Sequence, residues 1–334
     1  MLSGGGNRTA LLTIRQQDRH TPAMLGFLWK VSREAVRPPR PPGEFVRIGG
    51  VVLHVVRSGP PEGPVVLMCS GLGGAWLSWD AVVPLLRDRC HVVRFDRPGL
   101  GWSAPDPHPP TAAREAHRMR ALLRGLGLPG PYTLVGHSLG GLFGEAFART
   151  YPELTAGLVL TESACEPVER FGRHRELKLR VARTCGTIAQ RVGASQFLGP
   201  SLRELGVRTQ SLRGVETADP QHTHGAFCHG ATVTAAMVER ATCYDMAAEL
   251  GMLRRSHPMP KVPAIVLSAT GPRNDPAAVR AWQHHQLLLA SAVNAEHRRI
   301  GDSAHLMPID RPDAIAEAVL DVIGDAGPAH RGAW

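Results

Sequence analysis

The chain is poor in aromatic side chains, 5% of 334 residues, and has no basic stripe with aromatics set between its charges. Bases therefore have nothing to stack on, and nucleic acid is not expected as a partner despite a formal charge of +9. Much of that charge is local: residues 1–43 hold seven Lys/Arg and two Asp/Glu. No two of the six cysteines form a C-x-x-C pair. That spacing excludes zinc ribbons and fingers, and cysteines placed in apolar segments fit a reducing, cytoplasmic compartment. No metal and no cofactor are implied.

Long apolar runs are also missing. The run near the N-terminus, Ala23 to Trp29, has seven residues, too few to cross a bilayer, and no small-residue cleavage site follows it. With Val31, Ala35 and Val36 it continues at helical spacing between Arg19, Lys30, Arg33 and Arg37. Residues 19–37 are thus expected to form a basic amphipathic helix, packed on the domain or in peripheral contact with a membrane. Pro38-Pro39-Arg40-Pro41-Pro42-Gly43 cannot continue it and reads as an extended linker closing an N-terminal segment 1–43.

The remainder has ordinary globular composition, with 43% hydrophobic and 20% charged residues. Phe45–Ile48 and Val51–Arg57 flank Gly49-Gly50, a dipeptide suited to a two-residue hairpin turn. Beyond them come short continuous apolar runs separated by helical stretches: Val65–Met68, Val92–Phe95, Tyr132–Val135, Leu158–Leu160, Ala264–Leu267 and Arg298–Ile300. Runs without alternation suit strands buried on both faces, and the alternation of strand and helix predicts a mostly parallel sheet covered on both sides. The spacing fails once, between Thr161 and Ala264. Helices expected over about Val168–Val192, Ser201–Leu212 and Gly230–Leu253, broken at Gly199-Pro200 and Asp219-Pro220, fill the gap. The domain reading is a core of 44–162 and 261–334 with a helical cap at 163–260.

The candidate chemistry sits at predicted strand ends, where ligands bind in such sheets. Gly136-His137-Ser138-Leu139-Gly140 follows a strand and precedes a helix, the setting of a nucleophile elbow with Ser138 exposed on the turn. A serine needs a base. His305, in Gly301-Asp302-Ser303-Ala304-His305 after the last strand, lies at the same sheet edge; His284-His285 fall mid-helix, and His222, His224 and His229 lie in the cap.

Three segments in order, Phe95-Asp96-Arg97-Pro98-Gly99-Leu100-Gly101-Trp102-Ser103, the elbow, and Ser303-Ala304-His305 with Asp310-Arg311-Pro312, closely resemble the α/β-hydrolase superfamily over about Glu44 to Ile323. The resemblance implies eight strands with the second antiparallel and a cap after the sixth. It also implies an oxyanion hole from the backbone N–H groups of Leu139 and of Leu72 in the loop Cys69-Ser70-Gly71-Leu72-Gly73-Gly74. Ser70-Gly71 stands where relatives usually carry His-Gly. Trp76 and His137 are expected beside the substrate, His137 packing or hydrogen-bonding next to the nucleophile.

The triad acid has competing candidates. Most relatives carry it after the seventh strand, which here is Asp275, but Asn274-Asp275-Pro276 also reads as a helix N-cap followed by proline at the first helical position. Glu162 ends the run Gly157 to Thr161 at the catalytic edge, 24 residues after Ser138, and is the expected acid; Asp302 is a further alternative. A serine rather than an aspartate at the elbow argues against dehalogenase and epoxide-hydrolase chemistry. The expected function is a carboxylesterase-like serine hydrolase acting on a small ester or related acyl substrate. An acyltransferase on the same triad and a silent pocket used as a receptor are the alternatives.

Overall fold

The computed structural model describes residues 40–163, 174–271 and 276–325. The expected helix at 19–37, and most of the N-terminal segment, lie outside the described residues.

Eight strands form one sheet in the order β1-β2-β4-β3-β5-β6-β7-β8: β1 (Glu44–Ile48), β2 (Val51–Ser58), β3 (Val65–Cys69), β4 (His91–Phe95), β5 (Tyr132–His137), β6 (Thr155–Thr161), β7 (Ala264–Ala269) and β8 (Glu296–Ile300). The β2 strand runs antiparallel to both β1 and β4, and the remaining neighbours pair in parallel. Gly49 and Gly50 both take positive φ, 53° and 88°, so Ile48 pairs directly with Val51 across a two-residue turn.

The apolar runs are continuous because the sheet is covered on both faces. Along β3, Val65, Leu67 and Cys69 point into one core layer and Val66 and Met68 into the other. The first layer is closed by α1 (Ala112–Gly125), α2 (Leu139–Thr150) and α7 (Pro276–Ala292), through residues such as Met119, Phe143 and Leu289. The second is closed by Trp79, Val82 and Leu86 and by α9 (Pro312–Asp325), which follows the one-turn α8 (Met307–Asp310). Fully burying a side chain such as Leu67 stabilises the fold by about 1.5–3 kcal/mol.

Among the described residues four helices lie between β6 and β7: α3 (Arg175–Arg191), α4 (Ser195–Gln210), α5 (Pro220–Phe227) and α6 (Gly230–Ser256). The expected break at Gly199-Pro200 is corrected, since both residues lie inside α4. A Cβ on Gly199 would stand 1.8 Å from the Phe227 carbonyl oxygen, so the glycine serves close packing against that backbone. Asp219-Pro220 instead starts a helix, the Asp219 carboxylate accepting from the N–H groups of Gln221 and His222. Among the described residues no helix is long and apolar enough to cross a membrane.

Candidate active site

The end of β5 delivers Ser138 on a turn no ordinary side chain would choose. Its φ is 51° and ψ −119°, a conformation costing on the order of 1–3 kcal/mol that the surroundings must hold in place. Its neighbours are glycines for steric reasons: a Cβ on Gly136 would stand 2.4 Å from Gly141 Cα, and one on Gly140 would stand 2.1 Å from the Cys69 carbonyl oxygen. The Ser138 N–H donates to the Thr161 carbonyl at 3.0 Å, and its own carbonyl accepts from Gly141 N–H at 3.0 Å. The Ser138 turn is thereby fastened to β6 on one side and to α2 on the other.

Glu162 is the next residue along β6 and is fully buried. Its backbone N–H donates to Leu267 of β7 at 2.9 Å. Its Oε1 accepts from the Ala269 N–H at 2.7 Å and from Trp282 Nε1 at 2.9 Å, both firm bonds to a carboxylate. The other oxygen, Oε2, faces His305 Nδ1 at 3.3 Å, and His305 Nε2 faces Ser138 Oγ at 3.1 Å. Ser138, His305 and Glu162 thus form a continuous line. Of the other carboxylates considered, Asp302 is exposed and Asp275 lies outside the described residues.

His305 is carried on a loop held from two sides. His137 Nε2 donates to the His305 carbonyl at 2.7 Å. Burial, reinforced by the nearby His305, depresses the His137 pKa to about 3, so the ring is the neutral, single-donor form. Asp310 accepts from Ala304 N–H at 2.8 Å, and also from Ser211 Oγ and the Leu212 N–H. Through that buried carboxylate the histidine loop is tied to the end of α4.

Leu139 is the first residue of α2, where an N–H has no intrahelical acceptor and the helix dipole favours negative charge. Leu72 lies in a turn closed by the Gly74 N–H on the Gly71 carbonyl at 3.0 Å. A buried ion pair braces this loop. Arg97 donates to Ser70 O at 2.5 Å, Gly71 O at 2.7 Å and Glu239 Oε1 at 2.7 Å, while Glu239 Oε2 accepts from Gly73 N–H at 2.8 Å. Glu239 belongs to α6, so the helical insertion grips the loop directly.

Above Ser138 and His305 lies a cavity of about 670 Å³, its wall including Leu72, Leu202, Val233 and Met237. His137 reaches this wall. Trp76 does not, which corrects the expectation that it faces the substrate. Its backbone N–H is bonded to Asp96 Oδ1 at 2.8 Å, and its indole is buried against His54, Trp102 and His222 at 5.9–6.4 Å. A smaller cavity of about 250 Å³ lies against the other side of the Arg97–Glu239 pair. Among the described residues no three His, Cys, Asp or Glu side chains group as metal ligands.

The sequence alone assigns no role to Trp282, Arg97, Glu239 or Asp310. Arg97 and Asp310 lie in the segments that carry the superfamily resemblance. Trp282 and Glu239 sit in helices without any local motif, so only the folded chain brings them to the site.

A sequence profile of the alpha/beta hydrolase fold matches residues 64–312. A cis-3-alkyl-4-alkyloxetan-2-one decarboxylase of Xanthomonas campestris is 30% identical over 171 residues, 46% of this chain and 56% of that protein; the chain thus spans little more than half the length of that relative. The enol-lactonase of Burkholderia xenovorans superposes with a TM-score of 0.61 at 22% identity, covering 84% of this chain and 100% of the other. A thermophilic esterase of Thermogutta terrifontis does so with a TM-score of 0.58 at 22% identity, over 85% and 98%. With three quarters of its length matched by that profile, the chain belongs to the alpha/beta hydrolase fold family.

Proposed function

We propose that the chain is a serine hydrolase cleaving a carboxylic ester or a related acyl bond through an acyl-enzyme. The observation that carries the reading is the line from Ser138 Oγ through His305 to Glu162, with contacts of 3.1 and 3.3 Å. In this reading His305 Nε2 takes the hydroxyl proton as Ser138 Oγ bonds to the acyl carbon, and then gives that proton to the departing alkoxide. Glu162, with one oxygen already occupied by Ala269 and Trp282, turns the other to Nδ1 and stabilises the imidazolium. The N–H groups of Leu72 and Leu139 stabilise the tetrahedral oxyanion. Water, deprotonated by His305, then releases the acid.

The helices at 174–256 act as a cap, and their apolar residues on the cavity wall accept the acyl group. The esterase and the enol-lactonase among the structural neighbours support an acyl substrate without fixing which one. The test is labelling by a fluorophosphonate together with turnover of p-nitrophenyl esters of increasing chain length. Wild-type protein should be labelled and turn over, and Ser138→Ala should do neither. An unlabelled, inactive wild type would leave the pocket as a receptor.

A further inference from the structure

The helices inserted after β6 bury one face and leave another bare. On α3 the residues Leu179, Ala182, Gly186 and Ala189 are buried. Leu177, Val181, Ile188 and Val192 are 49–70% exposed, and at about 100° per residue they fall within an arc of about 60° on the opposite side. Lys178 borders that arc on one edge and Arg180 and Arg191 on the other. The whole helix carries five Arg/Lys against Glu176 alone. On α4, Phe197, Leu198, Leu202 and Leu205 are likewise exposed, and Leu202 is also part of the wall of the cavity over Ser138. Single exposed apolar residues are ordinary, but eight along two consecutive helices mark a contact surface.

We infer that the bare faces of α3 and α4 dock on an anionic lipid surface, and that an ester dissolved in that surface reaches Ser138 past Leu202. An apolar arc with a cationic border is the pattern of a helix lying in the headgroup boundary, its apolar residues among acyl chains and its cations among the phosphates. A second copy of the chain is the poorer fit, because apposing two such faces would bring their cationic borders together. The docking stands apart from the serine-hydrolase reading, whereas delivery of the ester rests on it.

The test uses the full chain and vesicles of phosphatidylcholine, with or without three parts in ten phosphatidylglycerol. Wild-type protein should sediment with the anionic vesicles and weakly with the neutral ones. The triple variant Leu177→Glu, Val181→Glu, Ile188→Glu and the charge reversal Lys178→Glu, Arg180→Glu, Arg191→Glu should each lose at least about ten-fold in vesicle affinity. Both should retain wild-type turnover of p-nitrophenyl acetate in free solution, which also shows that they are folded, and both should lose turnover of a long-chain ester carried in the vesicles. Equal vesicle binding by wild type and both variants would overturn the docking and move attachment elsewhere, residues 19–37 included. So would an absence of binding, or a wild-type dimer that the substitutions dissociate while vesicles stay bare. Lost vesicle binding with unchanged turnover of the vesicle-borne ester would overturn delivery alone. A wild type that ignores fluorophosphonate would remove the hydrolase reading while the sedimentation result still decides the docking.

Discussion

The sheet and the helices inserted after β6 treat the same residue types in opposite ways. In β3 to β7 nearly every Val, Leu and Ile is buried, and strand ends hold Ser138 and Glu162 at positive φ by bonds to neighbouring strands. In α3 and α4 six of the eight Val, Ile and Leu side chains face solvent. The difference separates two tasks. Strained catalytic geometry needs a surround that cannot relax, which a sheet covered on both faces supplies. In the proposed reading, access and choice of substrate fall to the helical layer, whose surface can meet different environments.

The sharpest way to break this division is at the proposed nucleophile. Ser138→Ala should lower ester turnover by on the order of 10⁴-fold or more at unchanged melting temperature, and His305→Ala should be about as damaging. Because the two act as a unit, the double variant should be no worse than either alone; steady-state kinetics on all three would decide it. Next is the acid. Glu162→Gln keeps the shape but removes the charge facing Nδ1, with an expected loss on the order of 10⁴, the size known for the equivalent change in a serine protease. Asp275→Asn should leave turnover near wild type, and the reverse pattern would move the acid to β7.

The boundary between the two regions is the Arg97–Glu239 pair, and Glu239→Gln probes it. The amide must set an N–H₂ against either the Gly73 N–H or the guanidinium, both of them donors. Breaking a buried pair from one side costs about 3–5 kcal/mol of stability. Displacing the Leu72 loop should lower kcat by up to about 10²-fold with little change in KM. A rise in KM at constant kcat would show that α6 shapes the pocket without bracing the loop.

The last probe concerns His137 and reads stability against pH. Its pKa is depressed in the folded protein to about 3 from 6.5, so the unfolded chain binds the proton first as pH falls. The stability it contributes is complete above pH 6.5 and drains towards pH 3 at about 1.4 kcal/mol per pH unit. Denaturant titrations at pH 7, 5 and 4 should show that slope in the wild type and a shallower one in His137→Asn.

What could be read from sequence follows the range over which each signal acts. Strands buried on both faces announce themselves as continuous apolar runs, so all eight were placed to within a few residues. The elbow is equally local, since the glycines answer contacts made within the same turn or with the next strand. Side-chain direction is another matter. Trp76 lies in the right stretch of chain but points into an aromatic cluster, because a one-turn helix has too little periodicity to say which face is which. The Arg97–Glu239 and Glu162–Trp282 contacts join residues 142 and 120 positions apart and leave no mark in either local sequence. Gly199-Pro200 misled for the opposite reason, as a strong local signal for a break was overridden by packing against Phe227.

The bond from Ser138 N–H to Thr161 O gives the site an unequal mechanics. The proposed nucleophile follows β5 and the proposed acid follows β6, and these two strands are hydrogen-bonded neighbours, so thermal motion of β6 carries both together and their separation holds. His305 arrives on a different support, hung between the imidazole of His137 and the carboxylate of Asp310. In the proposed relay His305 is thus the member whose place does not follow from the paired strands. Warming would disconnect it first by tilting that ring, so catalysis would fail while the sheet still gives a native circular-dichroism spectrum.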